Sequence, residues 1–468
     1  DKQKTGQHYN CQDFAHMLVH CFVLRLFLGP THKNTKNISK NCEIFALMKK
    51  ETEILRNLRL ALCLALLVLP FRAQAQFSIP GDNPARVRWS QLETDHFRVV
   101  YPRGMDSLAL VYAGNLSKYR IPVSRTGTYA PGDLYRAKMP VILHNFSGIS
   151  NASVTWAPRR MDIYSLPDPY DPEPMVWEKS LAIHESRHVS QMQLGYDGFF
   201  RPFHWLVGDL FPSAVAAIYA NRFLMEGDAV VAETGLSASG RGRSGDFLNY
   251  YMPAFDNGDW RNWYRWRYGS WRHYTPDQYA FGYLMLAGVR VFYDDPLFMD
   301  NYYGRISRNP LRYDTFRRNI SRVSGKRFND AFEEILQNYH SIWSENAARR
   351  GPFIDSRQLT AIPSWYEEID SPEMTSAGLL ALRSGMVNTR SLVAISPEGE
   401  VRELRPFAAT ISDLAYDSVT DRLYWSETFR DERWALEASS RICFIDLSSG
   451  KWNVRCLTQK GRLFNPCP

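Results

Sequence analysis

The hydrophobic period of the chain changes once, across residues 346–365, and this change constrains the fold more than any other feature. Between residues 213 and 350, apolar residues recur at helical spacing. The longest such segments are 213–234, 276–295 and 327–343. From residue 366 onwards, short segments alternate apolar and polar residues, as strands do. The sequence predicts a largely helical unit, a linker over 346–365 and an all-β unit over 366–468.

The part of the chain that precedes the helices has a mixed pattern. Residues 96–102 and 139–146 are short apolar runs typical of strands, and 105–120 has helical spacing. Two further strands are expected in 152–166, broken at Pro158. The predicted fold class is therefore α+β, with an N-terminal mixed sheet, then helices, and a separate all-β domain at the C-terminal end.

The first 75 residues have the pattern of a targeting region. From Met48, a basic start precedes a short apolar run and then Ala73-Gln74-Ala75, a small-x-small cleavage pattern. Residues 48–75 are expected to be a signal peptide that is cut after Ala75, so the mature protein is exported to the periplasm or the extracellular space. Residues 1–47 are expected to be a spurious or non-structural extension. A cytosolic extension ahead of a membrane anchor is the alternative.

The positive charge of the chain is concentrated in this N-terminal region. Residues 1–75 hold 11 Lys and Arg against 5 Asp and Glu, whereas the residues after 75 hold 45 against 44. A nearly neutral body argues against nucleic acid as a partner. No transmembrane helix is expected beyond the signal segment, whose apolar run is short for a span.

Three cysteines follow the expected cleavage point, namely Cys443, Cys456 and Cys467. In an oxidising compartment they can form one disulfide and leave one thiol over, but the spacing does not assign the pair.

The segment Leu181-Ala-Ile-His-Glu-Ser-Arg-His188 contains two histidines four residues apart. On a helix, His184 and His188 lie on the same face and can present ring nitrogens to one ion. Glu185 follows the first histidine and can reach a water molecule at that ion. Two imidazoles with a carboxylate and an open position suit Zn²⁺. The alternative is that both histidines are ordinary surface or core residues.

A third ligand is expected from a later helix, and Glu226 is the candidate. Gly227 and Ala229 follow it closely, and such small residues allow a close approach between helix backbones. Glu233 lies two turns further along the same face, where it can accept the outer N–H of a ligand histidine. A helix N-terminal acid for Glu226 and a solvated side chain for Glu233 are the alternatives.

With these motifs, the chain resembles the gluzincin metallopeptidases, the group that includes thermolysin and the zinc aminopeptidases. The resemblance covers about residues 85–345 and includes a third match, Tyr279-x-x-Gly282. It implies one Zn²⁺ held by His184, His188 and Glu226, and an oxyanion-stabilising role for Tyr279. Tyr283 is a competing candidate for that role, and a core aromatic is the alternative for Tyr279.

Two departures from the family pattern stand out. The gap between His188 and Glu226 is 37 residues, which predicts an inserted loop at about 195–212 above the site. The chain also lacks the Gly-x-Met-Glu-Asn strand with which aminopeptidases hold a free amino terminus. The choice between endopeptidase and exopeptidase stays open, and the strand-like 152–166 can still pair with an extended substrate.

The C-terminal strands resemble the start of a TolB-like β-propeller. Two tight turns, ending in Gly399 and Gly450, recur 51 residues apart, which suggests two blades. Because a propeller needs at least four blades, either the chain stops within the domain or the repeat is misread. Such domains mostly bind proteins, so a protein partner is expected there.

The functions expected from these features are three. The first is hydrolysis of a peptide or protein substrate by an exported zinc metallopeptidase, with Glu185 as general base. The second is a cell-envelope binding or scaffold protein whose metallopeptidase-like domain is inactive. The third is a zinc hydrolase that acts on a non-peptide bond.

The stretch 259–274 is dense in Trp, Tyr and Arg. It is either a substrate-binding wall of aromatic faces or a cover for the core, with arginines capping the rings.

Overall fold

The computed structural model describes residues 83–468, apart from short gaps. The gaps are 126–137, 147, 149, 171–172, 220–221, 271–272, 313–314, 353, 435–436 and 459–460. The predicted signal peptide (48–75) and the extension 1–47 lie outside the described residues. Among the described residues, no helix has the length and apolar content needed to cross a bilayer.

The first sheet has five strands in the order β1-β2-β3-β5-β4. They are β1 (Trp89–Glu93), β2 (Phe97–Pro102), β3 (Met139–His144), β4 (Ala152–Trp156) and β5 (Arg159–Tyr164). Strands β2, β3 and β5 are parallel, and the two outer strands run antiparallel to their neighbours. The sheet is therefore mixed, as the sequence predicts, and β4 forms one of its edges.

Two helices cover this sheet, α1 (Asp106–Arg125) and α2 (Trp177–Met192). Alternate strand residues such as Phe97, Val99 and Val141 are fully buried against them, because one face of the sheet carries the apolar side chains. Helix α2 is enclosed on almost every side, and its residues 180–190 are all buried. A polar sequence in such a helix needs partners inside the protein.

The next part of the chain is helical. The helices are α3 (Arg201–Val207), α4 (Leu210–Tyr219), α5 (Arg222–Leu236), α6 (Gly245–Leu248), α7 (Tyr251–Asp256), α8 (Trp263–Tyr268), α9 (Gln278–Phe292), α10 (Phe298–Arg308), α11 (Thr315–Ser324) and α12 (Phe328–Arg350). Short 3₁₀ turns occupy Gln193–Tyr196, Gly198–Phe200 and Arg241–Arg243.

The boundaries correct the sequence prediction at two points. The helix expected over 213–234 is described as α4 and α5, and residues 220–221 between them lie outside the described residues. The insertion expected as a loop at about 195–212 is largely helical, because it contains the 3₁₀ turns and α3. The linker expected from residue 346 begins later, since α12 continues to Arg350. Apolar spacing locates helices better than it locates their ends.

The helices share one large aromatic core. The dense stretch 259–274 contributes to it through Trp263 and Trp266, which are buried. The guanidinium of Arg261 lies 4.4 Å from the ring centre of Trp266, and that of Arg267 lies 5.6 Å from that of Trp263. These side chains therefore form part of the core, with arginines over the ring faces.

The C-terminal part consists of two antiparallel sheets. The first contains β6 (Glu367–Thr375), β7 (Gly378–Gly385), β8 (Ser391–Ile395) and β9 (Val401–Pro406) in sequence order. The second contains β10 (Thr410–Ile411), β11 (Ala415–Asp417), β12 (Arg422–Arg430), β13 (Ala438–Asp446) and β14 (Val454–Cys456). Apolar residues of the two sheets, including Leu382 and Trp425, share a core.

Equivalent turns close the two sheets. Gly399 (φ +90°) lies between β8 and β9, and Gly450 (φ +63°) lies between β13 and β14. Both glycines adopt the left-handed conformation that residues with a Cβ seldom adopt. A disulfide joins Cys443 to Cys456, and Cys467 is an exposed free thiol.

Candidate metal centre

Helices α2 and α5 bring three side chains to one point. The Nε2 atoms of His184 and His188 lie 3.0 Å apart, since the residues are one helical turn apart on α2. The Oε2 atom of Glu226, on α5, lies 3.2 Å from each of them. The structure thus places the three residues that the sequence nominates as ligands in one group that is able to hold a metal ion.

The hydrogen bonds of the two histidine Nδ1 atoms determine which ring nitrogen carries the proton. His184 Nδ1 lies 2.5 Å from Glu233 Oε1, and His188 Nδ1 lies 2.8 Å from Gln191 Oε1. Because both oxygens are acceptors, each Nδ1 carries the proton and donates it. The two Nε2 atoms and the Glu226 oxygen therefore converge on one point, which can take up a proton or a metal ion.

The size of the triangle fits a tetrahedral ion. With bonds of about 2.05 Å to nitrogen and oxygen, two ligands of a tetrahedral Zn²⁺ lie about 3.3 Å apart. The observed separations are 3.0, 3.2 and 3.2 Å. The three atoms leave a fourth direction for a water molecule or a substrate oxygen.

Glu233 is fully buried and makes a second ion pair with Arg241. Arg241 Nη2 lies 2.6 Å from Glu233 Oε1, and its Nε lies 3.0 Å from Glu233 Oε2. Glu173, ahead of α2, lies 3.4 Å from the same guanidinium. The side chain of Glu233 is therefore bound on both sides and is not solvated. Arg241, in a 3₁₀ turn with no motif around it, was not predicted from the sequence.

A second hydrogen-bond network holds Gln191, the partner of His188 Nδ1. The Gln191 amide donates to Asp228 Oδ2 at 3.0 Å and to the Met225 carbonyl oxygen at 2.9 Å. Asp228 is fully buried and accepts two hydrogen bonds from Arg187, at 2.7 and 2.9 Å. Arg187 and Asp228 were not predicted, although an acidic residue at position 228, on an otherwise apolar helix face, is a signal of a buried charge pair.

The site has an excess of negative charge. Burial alone would lower the pKa of His184, but hydrogen bonds to Glu226 and Glu233 outweigh burial and raise it to about 10. Burial also lowers the pKa of His188, but attraction to Glu226, a hydrogen bond to it and the charge of Glu185 together raise it overall. Burial opposes ionisation of Glu226 and Glu233, yet the neighbouring cationic groups lower both pKa values, that of Glu233 to about 2.

Glu185 lies in a different environment from the other two carboxylates. Its side chain is buried, and its Oε2 atom makes no hydrogen bond to any described residue. Burial raises the pKa of Glu185, and the nearby Glu226 and Glu233 act in the same direction. A carboxylate of raised pKa is a better proton acceptor near neutral pH than an ordinary one.

Tyr279 lies at the front of the site. Its ring stacks on that of His184 with centroids 6.0 Å apart, and the Arg241 guanidinium lies 5.2 Å from its centroid. Burial raises the pKa of Tyr279, so the hydroxyl keeps its proton. The competing candidate, Tyr283, lies elsewhere, because its hydroxyl faces the carbonyl oxygen of Gly242 at 3.4 Å.

Two glycines place Glu226 and Tyr279 beside each other. Helices α5 and α9 cross at Gly227 and Gly282, where a Cβ on Gly227 would lie 2.3 Å from the carbonyl carbon of Gly282. No side chain fits between these backbones. The small residues that the sequence associates with close packing therefore bring α9 onto α5, one residue from Glu226.

The edge strand β4 packs beside α2, and Trp156 at its end donates a 2.6 Å hydrogen bond to the hydroxyl of Tyr196. Tyr196 in turn donates to Asp209 at 2.8 Å. The helical insertion is thus attached to the strand next to the site.

No protein-family model, curated protein or solved structure matches the chain.

Proposed function

We propose that the protein is an exported zinc-dependent hydrolase of peptide bonds. The observation that carries the proposal is the convergence of the His184 and His188 ring nitrogens and the Glu226 oxygen within 3.2 Å of one another. A buried Glu185 with an unpartnered oxygen lies beside that point. Nitrogen and carboxylate ligands in this number favour Zn²⁺ over Mg²⁺ or Ca²⁺, which prefer oxygen ligands.

The residues divide the chemistry between them. When bound, Zn²⁺ supplies a Lewis acid that polarises a carbonyl group and acidifies a water molecule. Glu185 accepts a proton from the attacking water and delivers it to the leaving amine. Tyr279 keeps its proton at neutral pH and donates a hydrogen bond to the oxyanion that develops on the substrate. Glu233 and Gln191 hold the two histidines in the required orientation.

The edge strand favours a peptide over other substrates. Within the described residues, β4 pairs only with β5, so its outer edge can hydrogen-bond to an extended chain. Main-chain pairing of this kind aligns an extended backbone along a site without requiring particular side chains. A non-peptide substrate would make no use of it.

The C-terminal sheets support a second part of the proposal. We infer that they are blades of a TolB-like propeller and that they bind a protein partner. The support is that, in each antiparallel sheet, the last two strands along the chain are joined by a turn with a left-handed glycine, Gly399 or Gly450. Such a domain would select or orient the substrate, while the metal centre performs the hydrolysis.

The deciding experiment measures bound zinc and cleavage of an internally quenched peptide mixture. Wild type is expected to hold one Zn²⁺ per chain and to cleave, Glu226→Ala to lose the metal, and Glu185→Gln to keep the metal with at least a hundredfold lower rate. Glu178→Gln, on the same helix but away from the three ligands, is the control. A wild type without zinc contradicts the proposal, and a zinc-loaded wild type that cleaves no peptide favours the scaffold function.

A further inference from the structure

A polar cavity lies between α10 and α11. None of the residues nominated for the metal centre lines it. Its volume is about 160 Å³. Five arginines, two asparagines and a threonine line it, and no acidic residue does among the described residues, which leave out Asp314. They are Arg305, Arg308, Asn309, Arg312, Thr315, Arg318, Asn319 and Arg322.

The positive charge of this region is not balanced locally. Residues 305–327 hold eight Lys and Arg against one acidic residue, although the chain after residue 75 is nearly neutral. None of the five lining arginines forms an ion pair with a described residue. Arg305 is partly buried, and the other four, Arg308, Arg312, Arg318 and Arg322, are exposed at the mouth of the cavity. Like charges held this close repel each other, so an anion among them is favoured.

The cavity also contains polar atoms without partners. Asn319 is 3% exposed, and its Nδ2 atom makes no hydrogen bond to any described residue. The Nε atom of Arg305 is buried and likewise has no partner there. Buried donors are nearly always satisfied, so donors left over at a cavity indicate an acceptor that binds in it.

We propose that this cavity binds a phosphate group. A phosphate dianion offers acceptor oxygens in several directions, and guanidinium groups donate to them in pairs. A carboxylate carries only one negative charge, whereas a site with five arginines favours an anion of higher charge. A partly open cavity of this size takes a compact group, whereas a nucleic-acid strand would need an extended groove with aromatic platforms.

The surroundings point to two sources of such a phosphate, a free phosphate ester or a lipid headgroup. The insertion lies next to α10, because a Cβ on Gly198 would lie 2.5 Å from the carbonyl oxygen of Ser307. Beyond Gly198, α3 exposes Trp205 (77%) and Leu206 (78%). Exposed aromatic and aliphatic side chains near cationic groups are also typical of membrane-surface binding.

The test uses the full chain with inorganic pyrophosphate in a calorimetric titration, and vesicles of phosphatidylglycerol or phosphatidylcholine in a sedimentation assay. Arg308→Gln with Arg312→Gln removes two exposed cavity arginines. Arg103→Gln with Arg402→Gln removes the same charge from exposed positions elsewhere. Thermal unfolding of each variant checks that it folds like wild type.

If the cavity variant binds pyrophosphate about tenfold more weakly than wild type, and the control variant binds it equally well, the result supports the site with a free phosphate as its source. Suppose instead that wild type binds only phosphatidylglycerol vesicles, that the cavity variant does not bind them, and that Trp205→Ser with Leu206→Ser binds them less. This result supports the site with a lipid headgroup as the source. The proposal would be overturned if the cavity and control variants lost equal affinity, if wild type bound neither probe, or if it bound single-stranded DNA alone. Zinc content and peptide cleavage are separate readouts.

Discussion

The backbones of Gly227 and Gly282 are in direct contact, and this contact fixes the distance between two helices that carry site residues. Glu226 precedes one glycine on α5, and Tyr279 lies one turn before the other on α9. The candidate metal ligand Glu226 and the proposed hydroxyl donor Tyr279 are therefore positioned by one helix crossing rather than by loops. Sites on packed helices are held more firmly than sites on loops.

Gly227→Ala tests this crossing. The added methyl would meet the Gly282 backbone, so we expect the free energy of unfolding to fall by about 3 kcal/mol. Gly235→Ala is the matched control on the same helix, because its Cβ would meet nothing within 4 Å. We expect this control to gain about 0.5–1 kcal/mol. Denaturant unfolding measures both, and equal effects at the two glycines would contradict the crossing.

Gln191→Leu tests the support of His188. The substitution keeps the side-chain size but removes the acceptor for His188 Nδ1–H, so the ring is no longer held in one tautomer and orientation. We expect zinc affinity to fall by about 10–100-fold while the fold is retained. Competition with a chelator measures the affinity. An unchanged affinity would show that the hydrogen bond has no role in metal binding.

Tyr279→Phe tests the hydroxyl alone, since the ring that stacks on His184 remains. We expect kcat to fall about a hundredfold with little change in KM or zinc content. Tyr283→Phe is the control, because that hydroxyl faces the Gly242 carbonyl oxygen instead. If Tyr283→Phe lowers kcat more than Tyr279→Phe, the roles assigned to the two tyrosines are wrong.

Asp162 provides a pH-dependent prediction away from the metal. Burial opposes its ionisation, but hydrogen bonds from His144 and Arg160 outweigh burial and lower its pKa in the folded protein. Because the folded pKa lies below the unfolded value of about 3.9, Asp162 stabilises the fold above that pH. This stabilisation is lost as the pH falls through the folded pKa.

We expect Asp162→Asn to unfold about 1–3 kcal/mol more easily than wild type at pH 7. The difference should shrink as the pH falls below about 4, because the unfolded wild type then binds a proton that the folded protein does not yet bind, and it should level off below the folded pKa. Urea unfolding at several pH values measures it. A difference that is constant from pH 7 to pH 3 would contradict the assigned charge.

The sequence predicted the ligand set because helical periodicity is local. The spacing of His184 and His188 sets their common face, and the glycine after Glu226 marks a close contact. Strand alternation likewise predicted the mixed first sheet and the tight turns at Gly399 and Gly450.

The partners that hold those ligands were predicted less well, because they are set by tertiary packing. Arg241 reaches Glu233 from a short turn, and Gln191 reaches Asp228 across two helices. Nothing in their local sequence marks these contacts. The arginine cavity was also overlooked, since a balanced total charge conceals a local excess within residues 305–327. Net charge describes a whole body and says little about one pocket.

The pair of Glu233 and Arg241 has a consequence for which ion the centre accepts. With both histidines neutral, Glu173, Glu185, Glu226 and Glu233 carry four negative charges, and Arg241 cancels one of them. A monovalent ion would leave most of the remaining negative charge unbalanced in a buried space, so we expect a multivalent cation. We therefore expect the charges around the three candidate ligands, and not the ligands alone, to bear on which ion the site can hold.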